Sequence, residues 1–333
     1  MKNIAIAGAG VMGRLLAWQL ARAGHRVTVV DPAHGPGAPG AAAFAAAGML
    51  SPRAEQEHAE PDVVAMGWRS LQLWPEVAAA LGRPALVRVD DSLLLAHGSD
   101  AGSARRVLAR LGEGPQPLDR AALQRLEPAL APDLKAWRLP GEGQLLPREL
   151  LQALVAEARD VDWRWGVAAT AVRPHRLSLG DGGPLDADLV IDTRGLGARS
   201  DLPTLRGVRG EILWLHAPGV ALHRPVRLLH PRHRVYLVPR PGDIVVVGAS
   251  EVESEDRSPI SLRSAVELMA AAHSVLPSLA EARIVHMETQ LRPALPDHRP
   301  CLTHEPGLLR INGLFRHGWL LAPALAERAI RHV

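Results

Sequence analysis

The chain is poor in several residue types, and each scarcity narrows what it can be. Its 333 residues include one cysteine, one tyrosine and two phenylalanines, and among 38 basic residues only Lys2 and Lys135 are lysine. The lone Cys301 excludes an internal disulfide and any multi-cysteine metal centre; with no export signal, a cytoplasmic location is expected. No apolar run reaches the ~18 residues of a membrane helix, so no membrane partner is expected. The arginines are scattered among Ala, Gly and Pro, the formal charge is only +3, and no basic run is interleaved with aromatics. That argues against nucleic acid as a partner. The 15 histidines form no H-x-x-x-H pair beside an acid, so no metal is expected. What is abundant is apolar: 47% of the residues are hydrophobic. The length allows a large core in two domains, or in one with a substantial insertion.

The organising stretch is Asn3-Ile-Ala-Ile-Ala-Gly8-Ala-Gly10-Val-Met-Gly13, a helical segment, and then Arg26-Val-Thr-Val-Val-Asp31. Ile4 to Ala7 suit a strand buried on both faces. Gly8 permits a tight turn, Gly10 lets backbone approach a pyrophosphate, and Gly13 lets the following helix pack close to the strand. Val11, Leu15, Leu16 and Leu20 carry a helix to Ala23, and Gly24 stands where a helix-ending glycine is wanted. Asp31 ends the second strand at about the ~20-residue offset that places an acid on an adenosine ribose, which fits FAD or NAD and not NADP. A signal peptide would also begin with Lys2, an apolar stretch and Ala21-Arg22-Ala23. It fails because Arg14 and Gln19 interrupt the apolar region and the glycine spacing would be unexplained.

Small residues fill Gly35 to Pro52; after a ribose-binding strand they let backbone amides lie against a large planar cofactor. A helix is expected over 61–81, bent or split at Pro75, then a strand over 86–96. Short helices follow near 101–111 and 119–126, the second capped by Asp119. Pro147 opens a helix over 148–158. Trp163 to Val172 reads as one extended segment, and Arg176–Leu179 with Gly180-Asp-Gly-Gly183 as a hairpin. Asp188-Leu-Val-Ile-Asp192 is a second buried strand entering glycines at 195 and 197, as though the cofactor fold were re-entered. Runs at 211–215, 226–230, 234–239 and 244–249 predict an antiparallel sheet. A helix over 262–275, strands at 284–291 and 308–311, and a last helix near 321–331 complete the chain.

Four later pieces carry a family likeness: Ala45-Ala-Ala-Gly48-Met49-Leu50; Tyr236-Leu-Val-Pro-Arg240 with Val245-Val-Val-Gly248-Ala249; Leu291-Arg292-Pro293-Ala-Leu-Pro-Asp297; and Asn312-Gly313-Leu-Phe-Arg316-His-Gly318-Trp-Leu-Leu-Ala-Pro323. In this order they resemble the FAD-dependent D-amino-acid oxidase superfamily, and within it the glycine oxidases of thiamine biosynthesis. The resemblance implies a mixed α/β fold: a discontinuous Rossmann-like FAD-binding domain (1–80, 143–205 and 285–333) with an inserted antiparallel-sheet substrate domain (81–142 and 206–284). It implies oxidative deamination of glycine or another small amino acid. Hydride would pass to flavin N5, water would hydrolyse the imine, and O2 would be reduced to hydrogen peroxide. Arg292 stands where the family clamps the substrate carboxylate, a task suited to a planar guanidinium. Tyr236 matches a hydroxyl that meets the same carboxylate, and Arg316 an arginine near flavin and substrate.

By the same likeness FAD is held by Gly8, Gly10, Val11, Met12, Gly13, Asp31, Ala47, Gly48, Met49, Val172, Gly195, Gly313, His317, Gly318, Trp319 and Leu320. The last helix, beginning near Pro323, would aim its positive end at the flavin. Relatives that attach flavin covalently use a cysteine just before the clamp. Here that region reads Thr289-Gln290-Leu291, so FAD is expected to be non-covalent. Leu314 and Arg234 stand where relatives carry histidine, and the Ser250–Glu251 region replaces a methionine that shapes the small pocket elsewhere in the family. The alternatives that keep the fold are an amino-acid dehydrogenase with another electron acceptor and a D-amino-acid oxidase with a larger substrate. A homo-oligomer is an allowed state.

Overall fold

Asn3–Ala7 (β1) is an inner strand of a parallel sheet, which is why Ile4 to Ala7 are buried on both faces. The computed structural model describes residues 1–180, 182–230 and 234–333. After β1 come α1 (Val11–Arg22), β2 (Arg26–Asp31), β3 (Met49–Leu50), α2 (Pro52–Glu55), α3 (Pro61–Ala80), β4 (Val87–Ala96) and α4 (Ala101–Leu111). The middle of the chain forms β5 (Gln116–Leu118), α5 (Arg120–Leu126), β6 (Lys135–Leu145), α6 (Pro147–Glu157), β7 (Asp162–Trp165), β8 (Ala169–Arg173), β9 (Arg176–Leu179), β10 (Pro184–Asp186) and β11 (Leu189–Asp192). The remainder forms β12 (Arg206–His216), β13 (Val226–Leu229), β14 (Arg234–Arg240), β15 (Ile244–Gly248), α7 (Leu262–Val275), β16 (Arg283–Ala294), β17 (Cys301–Glu305), β18 (Leu308–Asn312) and α8 (Gly318–Ile330).

Three sheets result. The first has the order β17-β18-β11-β1-β2-β7 and is parallel except for β17. β8, β9 and β10 make a small antiparallel sheet. The largest runs β16-β12-β15-β14-β13-β4-β6-β3, with β5 added on β6; among the pairs along this order only β13–β4 is parallel. Residues from the N-terminal, central and C-terminal stretches thus share the parallel sheet, with the larger sheet's strands between them in sequence. The strand that carries Arg292 belongs to the larger sheet, because β16 ladders onto β12 from Arg283 to Ala294.

One apolar core joins α1, α3, α6 and α8 to the parallel sheet. Trp74 of α3 is fully enclosed there, tilted on Trp319 at 5.6 Å, with its indole N–H on the Trp319 carbonyl at 2.7 Å. A side chain of that size contributes roughly 3 kcal/mol by burial. A second core fills the space between the large sheet and α7.

Several expectations need correction. α3 is not split: Pro75 lies on its exposed side, where a freed carbonyl can meet water, and the helix continues to Ala80. The segment 163–172 is two strands in two sheets, parted at Gly166, whose φ of +77° turns the chain. The last helix begins at Gly318 and passes through Pro323. β6 is unannounced in the sequence because Pro140, Gly141 and Gly143 interrupt its pattern. The 176–186 hairpin forms, but Asp181 in its turn lies outside the described residues, as does the Arg234 side chain.

Candidate active site

A cavity of about 1700 Å³ is lined by both large sheets and by the loop of small residues between β2 and β3. Thirteen of the residues expected to hold the cofactor line it: Gly8, Gly10, Val11, Met12, Asp31, Ala47, Gly48, Met49, Gly195, His317, Gly318, Trp319 and Leu320. Arg292, Tyr236 and Arg316 line it too.

At one end the β1–α1 turn does what its glycines require. A Cβ on Gly8 would lie 2.6 Å from the Thr193 carbonyl, and one on Gly13 would collide with the Gly8 carbonyl, so strand and helix meet only without side chains. Gly10 faces open space, with nothing nearer than Ala41 at 3.9 Å. Asp31 is already oriented: its Oδ2 accepts the Ala9 N–H at 2.6 Å and its Oδ1 the Ala33 N–H at 2.8 Å. Arg194, which the sequence reading passed over, grips Asp192 through two bonds of 2.9 and 2.8 Å and Asp201 at 2.6 Å. Asn312 donates to the Gly195 carbonyl at 3.0 Å, so the second glycine turn is held from both sides.

At the other end the wall is the large sheet. Tyr236 on β14 pairs across the strands with Gly248 on β15 and Arg227 on β13. A Cβ on Gly248 would sit 2.6 Å from the tyrosine oxygen, and one on Gly210 of β12 would fall inside the Arg292 guanidinium. The two predicted substrate-binding side chains therefore lie over two glycines, where any Cβ would push them aside. A glycine inside a strand is the signal that could have found them.

The charges around Tyr236 are unequal. Arg316 is committed to Glu55 at 2.8 Å and Glu251 at 3.2 Å, and Arg227 to Glu55 at 3.2 Å. Buried His317 also bonds Glu55, through Nε2 at 3.0 Å. Burial alone would raise the Glu55 carboxyl, but Arg316, His317 and Arg227 outweigh it and hold it well below the usual range. Arg292 has only carbonyl partners, Ser250 at 3.1 Å and Arg209 at 3.3 Å. Among the described residues no carboxylate lies within 4 Å of it, and burial lowers its pKa. Burial raises the Tyr236 hydroxyl, against the opposing field of Arg292, Arg227 and Arg240. Glu55 and Arg227 escaped sequence reading, and Glu251 stood out only as a departure from the family, because nothing local marks residues brought together from α2, β13 and the segment after β15.

Three residues expected to hold the cofactor, Gly13, Val172 and Gly313, are not in the cavity lining. Gly13 serves packing, as its spacing implies. Val172 does not line the cavity: its side chain is sealed among Val30, Leu177 and Leu308 and its carbonyl accepts from Arg310, so Ala168 and Ala169 face the cavity at that strand instead. Gly313 is a turn residue with φ +70°, pressed under Leu295, where a Cβ would come within 2.7 Å. Cys301 does not line the cavity either.

The residues present fit a dinucleotide. A single unbroken cavity joins an acid oriented for a ribose, a helix N-terminus behind three glycines, a floor of alanines and glycines, and a wall bearing a guanidinium with no acidic partner. Parallel dinucleotide sheet plus polar, mainly antiparallel roof defines a flavin-dependent oxidoreductase architecture. Residues 3–331 match the family model DAO, FAD dependent oxidoreductase, and the chain belongs to that family. It is 42% identical over 334 residues to the putative thiamine biosynthesis oxidoreductase ThiO of Rhizobium etli, an alignment covering 99% of this chain and 96% of that protein. The crystal structure of glycine oxidase from Geobacillus kaustophilus superposes with a TM-score of 0.86 at 26% identity, over 99% of this chain and 93% of that one. Iminodiacetate oxidase from Chelativorans sp. BNC1 gives 0.83 at 27%, over 97% and 93%. The chain is thus an FAD-dependent oxidoreductase of the glycine oxidase and ThiO type.

Proposed function

We propose that the chain oxidises glycine, or an equally small amino acid, to the corresponding oxo acid, ammonium and hydrogen peroxide, consuming O2 and water, and that this serves thiamine synthesis in the cytoplasm. The observation that carries the reading is Arg292: of the cavity-lining guanidiniums that act on Tyr236, it is the one, among the described residues, balanced only by carbonyls. A substrate carboxylate is the partner it lacks. FAD, when bound, supplies a two-electron acceptor for the substrate's Cα–H bond.

The chain's own residues then have two tasks. Arg292 and the Tyr236 hydroxyl bind the carboxylate and fix Cα, which is where positioning lowers the barrier. The guanidiniums of Arg227, Arg292 and Arg316, with Arg240 also acting on Tyr236, outnumber Glu55 and Glu251, and this positive excess favours the anionic, free-amine form of an amino acid over its zwitterion. No strong protein base is required. FAD is held without a covalent bond, in keeping with the distance of Cys301 from the cavity lining. The division into a discontinuous FAD-binding part and a substrate part belongs to the same reading, with β16 wholly in the substrate part.

The test is anaerobic mixing of the yellow holoprotein with glycine, sarcosine, iminodiacetate and a panel of D-amino acids. Bleaching by glycine or sarcosine, with peroxide formed on admitting air, is expected. Bleaching by larger D-amino acids alone would overturn the substrate class, and reoxidation by a quinone but not by O2 would overturn the oxidase.

A further inference from the structure

Arg14 is the arginine that interrupts the first apolar stretch, and the fold does not leave it at the surface. It is 1% exposed, among the most enclosed side chains of the molecule. Its Nε donates to the Ala9 carbonyl at 2.7 Å and its Nη1 to the Leu151 carbonyl at 3.0 Å, and its guanidinium lies 5.3 Å from the ring centres of Phe44 and Trp165. Among the described residues no carboxylate is within 4 Å, and burial pulls its pKa down to about 10 although Asp31 opposes the shift. A buried cation with only neutral contacts is costly and is ordinarily matched by an anion.

The surroundings tie this side chain to the glycine turn beside the cavity. Ala9 is gripped at both ends, its carbonyl by Arg14 and its N–H by Asp31. Turning that carbonyl inward, away from the cavity, leaves the neighbouring N–H groups of the α1 N-terminus to face it. Through Phe44 the same guanidinium steadies the alanine loop, and through Leu151 it steadies α6. Two walls of the cofactor cavity, the glycine turn and the alanine loop, and the α6 helix behind them converge on one side chain.

We propose that Arg14 is a positioning residue for the cofactor's diphosphate: it fixes the Ala9 peptide, and its buried charge is balanced when the diphosphate of the dinucleotide occupies the turn. The inference rests on the FAD dependence of the family and is independent of which amine is oxidised.

The test uses apoprotein of wild type, Arg14→Met and Arg14→Lys, read by FAD titration and by thermal shift with inorganic pyrophosphate or AMP. Arg14→Met is expected to raise the FAD Kd about tenfold or more and to abolish the stabilisation by pyrophosphate, while AMP, which addresses Asp31, still stabilises. Arg14→Lys keeps the charge but not the forked contacts; its FAD Kd should rise about threefold, with the pyrophosphate effect retained. Unchanged FAD affinity in either variant overturns the proposal. So does equal loss of pyrophosphate and AMP stabilisation in Arg14→Met, which would mark a purely structural arginine. Should Arg14→Met not fold, the lysine variant alone decides by the same criterion.

Discussion

The two ends of the cavity are built on opposite plans. The nucleotide end is made mostly of backbone: turn amides, absent side chains and one oriented acid, drawn largely from the first 31 residues. The substrate end is made of long side chains from α2, β13, β14, β16 and the turn before α8, and it depends on how their charges are shared. Arg316 and Arg292 show the difference within that end. Both are arginines on the same cavity, yet one is spent on Glu55 and Glu251 while the other has only carbonyls. What singles out Arg292 as the proposed clamp is its missing internal partner together with its place on the cavity wall beside Tyr236.

Removing the unspent charge should do the most damage. Arg292→Ala is expected to raise the KM for glycine by about 10²–10³-fold, the range for truncating one member of a buried charge pair, with FAD content retained. Steady-state kinetics with a flavin spectrum checks this, and an equal or larger effect from Arg316→Ala would erase the contrast between the two arginines. Glu55→Gln comes next. It unpairs Arg227 and leaves Arg316 with Glu251 alone, and it should cost about 2–3 kcal/mol near neutral pH, measured by denaturant unfolding. The Glu55 carboxyl is held below its ordinary 4.5, so its contribution is complete above that pH and drains away as pH falls through the lower folded value. The gap between wild type and variant should therefore close only in acid.

Gly210→Ala should raise KM about tenfold by displacing the guanidinium above it, and should add nothing in an Arg292→Ala background. Additive losses there would separate the glycine from the clamp. The mildest effect is expected at Glu142, the buried carboxylate that accepts the Arg53 and Ala54 N–H groups and so caps α2 at the end opposite Glu55. Burial raises its pKa, against Ser92 and Arg227. Its ionisation costs stability as pH rises from 4.5 through the folded value, the reverse of Glu55. Glu142→Gln should change stability at pH 8 by less than about 1 kcal/mol, and a large loss would refute the assignment of opposite signs.

Legibility in the sequence followed the same division. The β1–turn–α1–β2 unit could be read because strand, glycines, helix stop and Asp31 are consecutive, each dictating its neighbour's backbone. Arg292, Tyr236 and Arg316 were recognisable by motif, but their relation to one another was not. Glu55 sits in a four-residue helix whose cap, Glu142, comes from β6, a strand hidden by its own proline and glycines. The burial of the Val172 side chain was not legible, because an apolar residue alternating along a strand gives no sign of which sheet will cover it. Gly210 and Gly248 were open to reading: glycine within an otherwise apolar strand asks what approaches it.

The cavity wall near Gly10 faces the helix that starts at Gly318, so residues from nearly opposite ends of the numbering must meet before anything is enclosed. A nascent chain holding only the first glycine turn would offer the nucleotide a ledge with no lid. The flavin can therefore be enclosed only once both stretches have docked against one another.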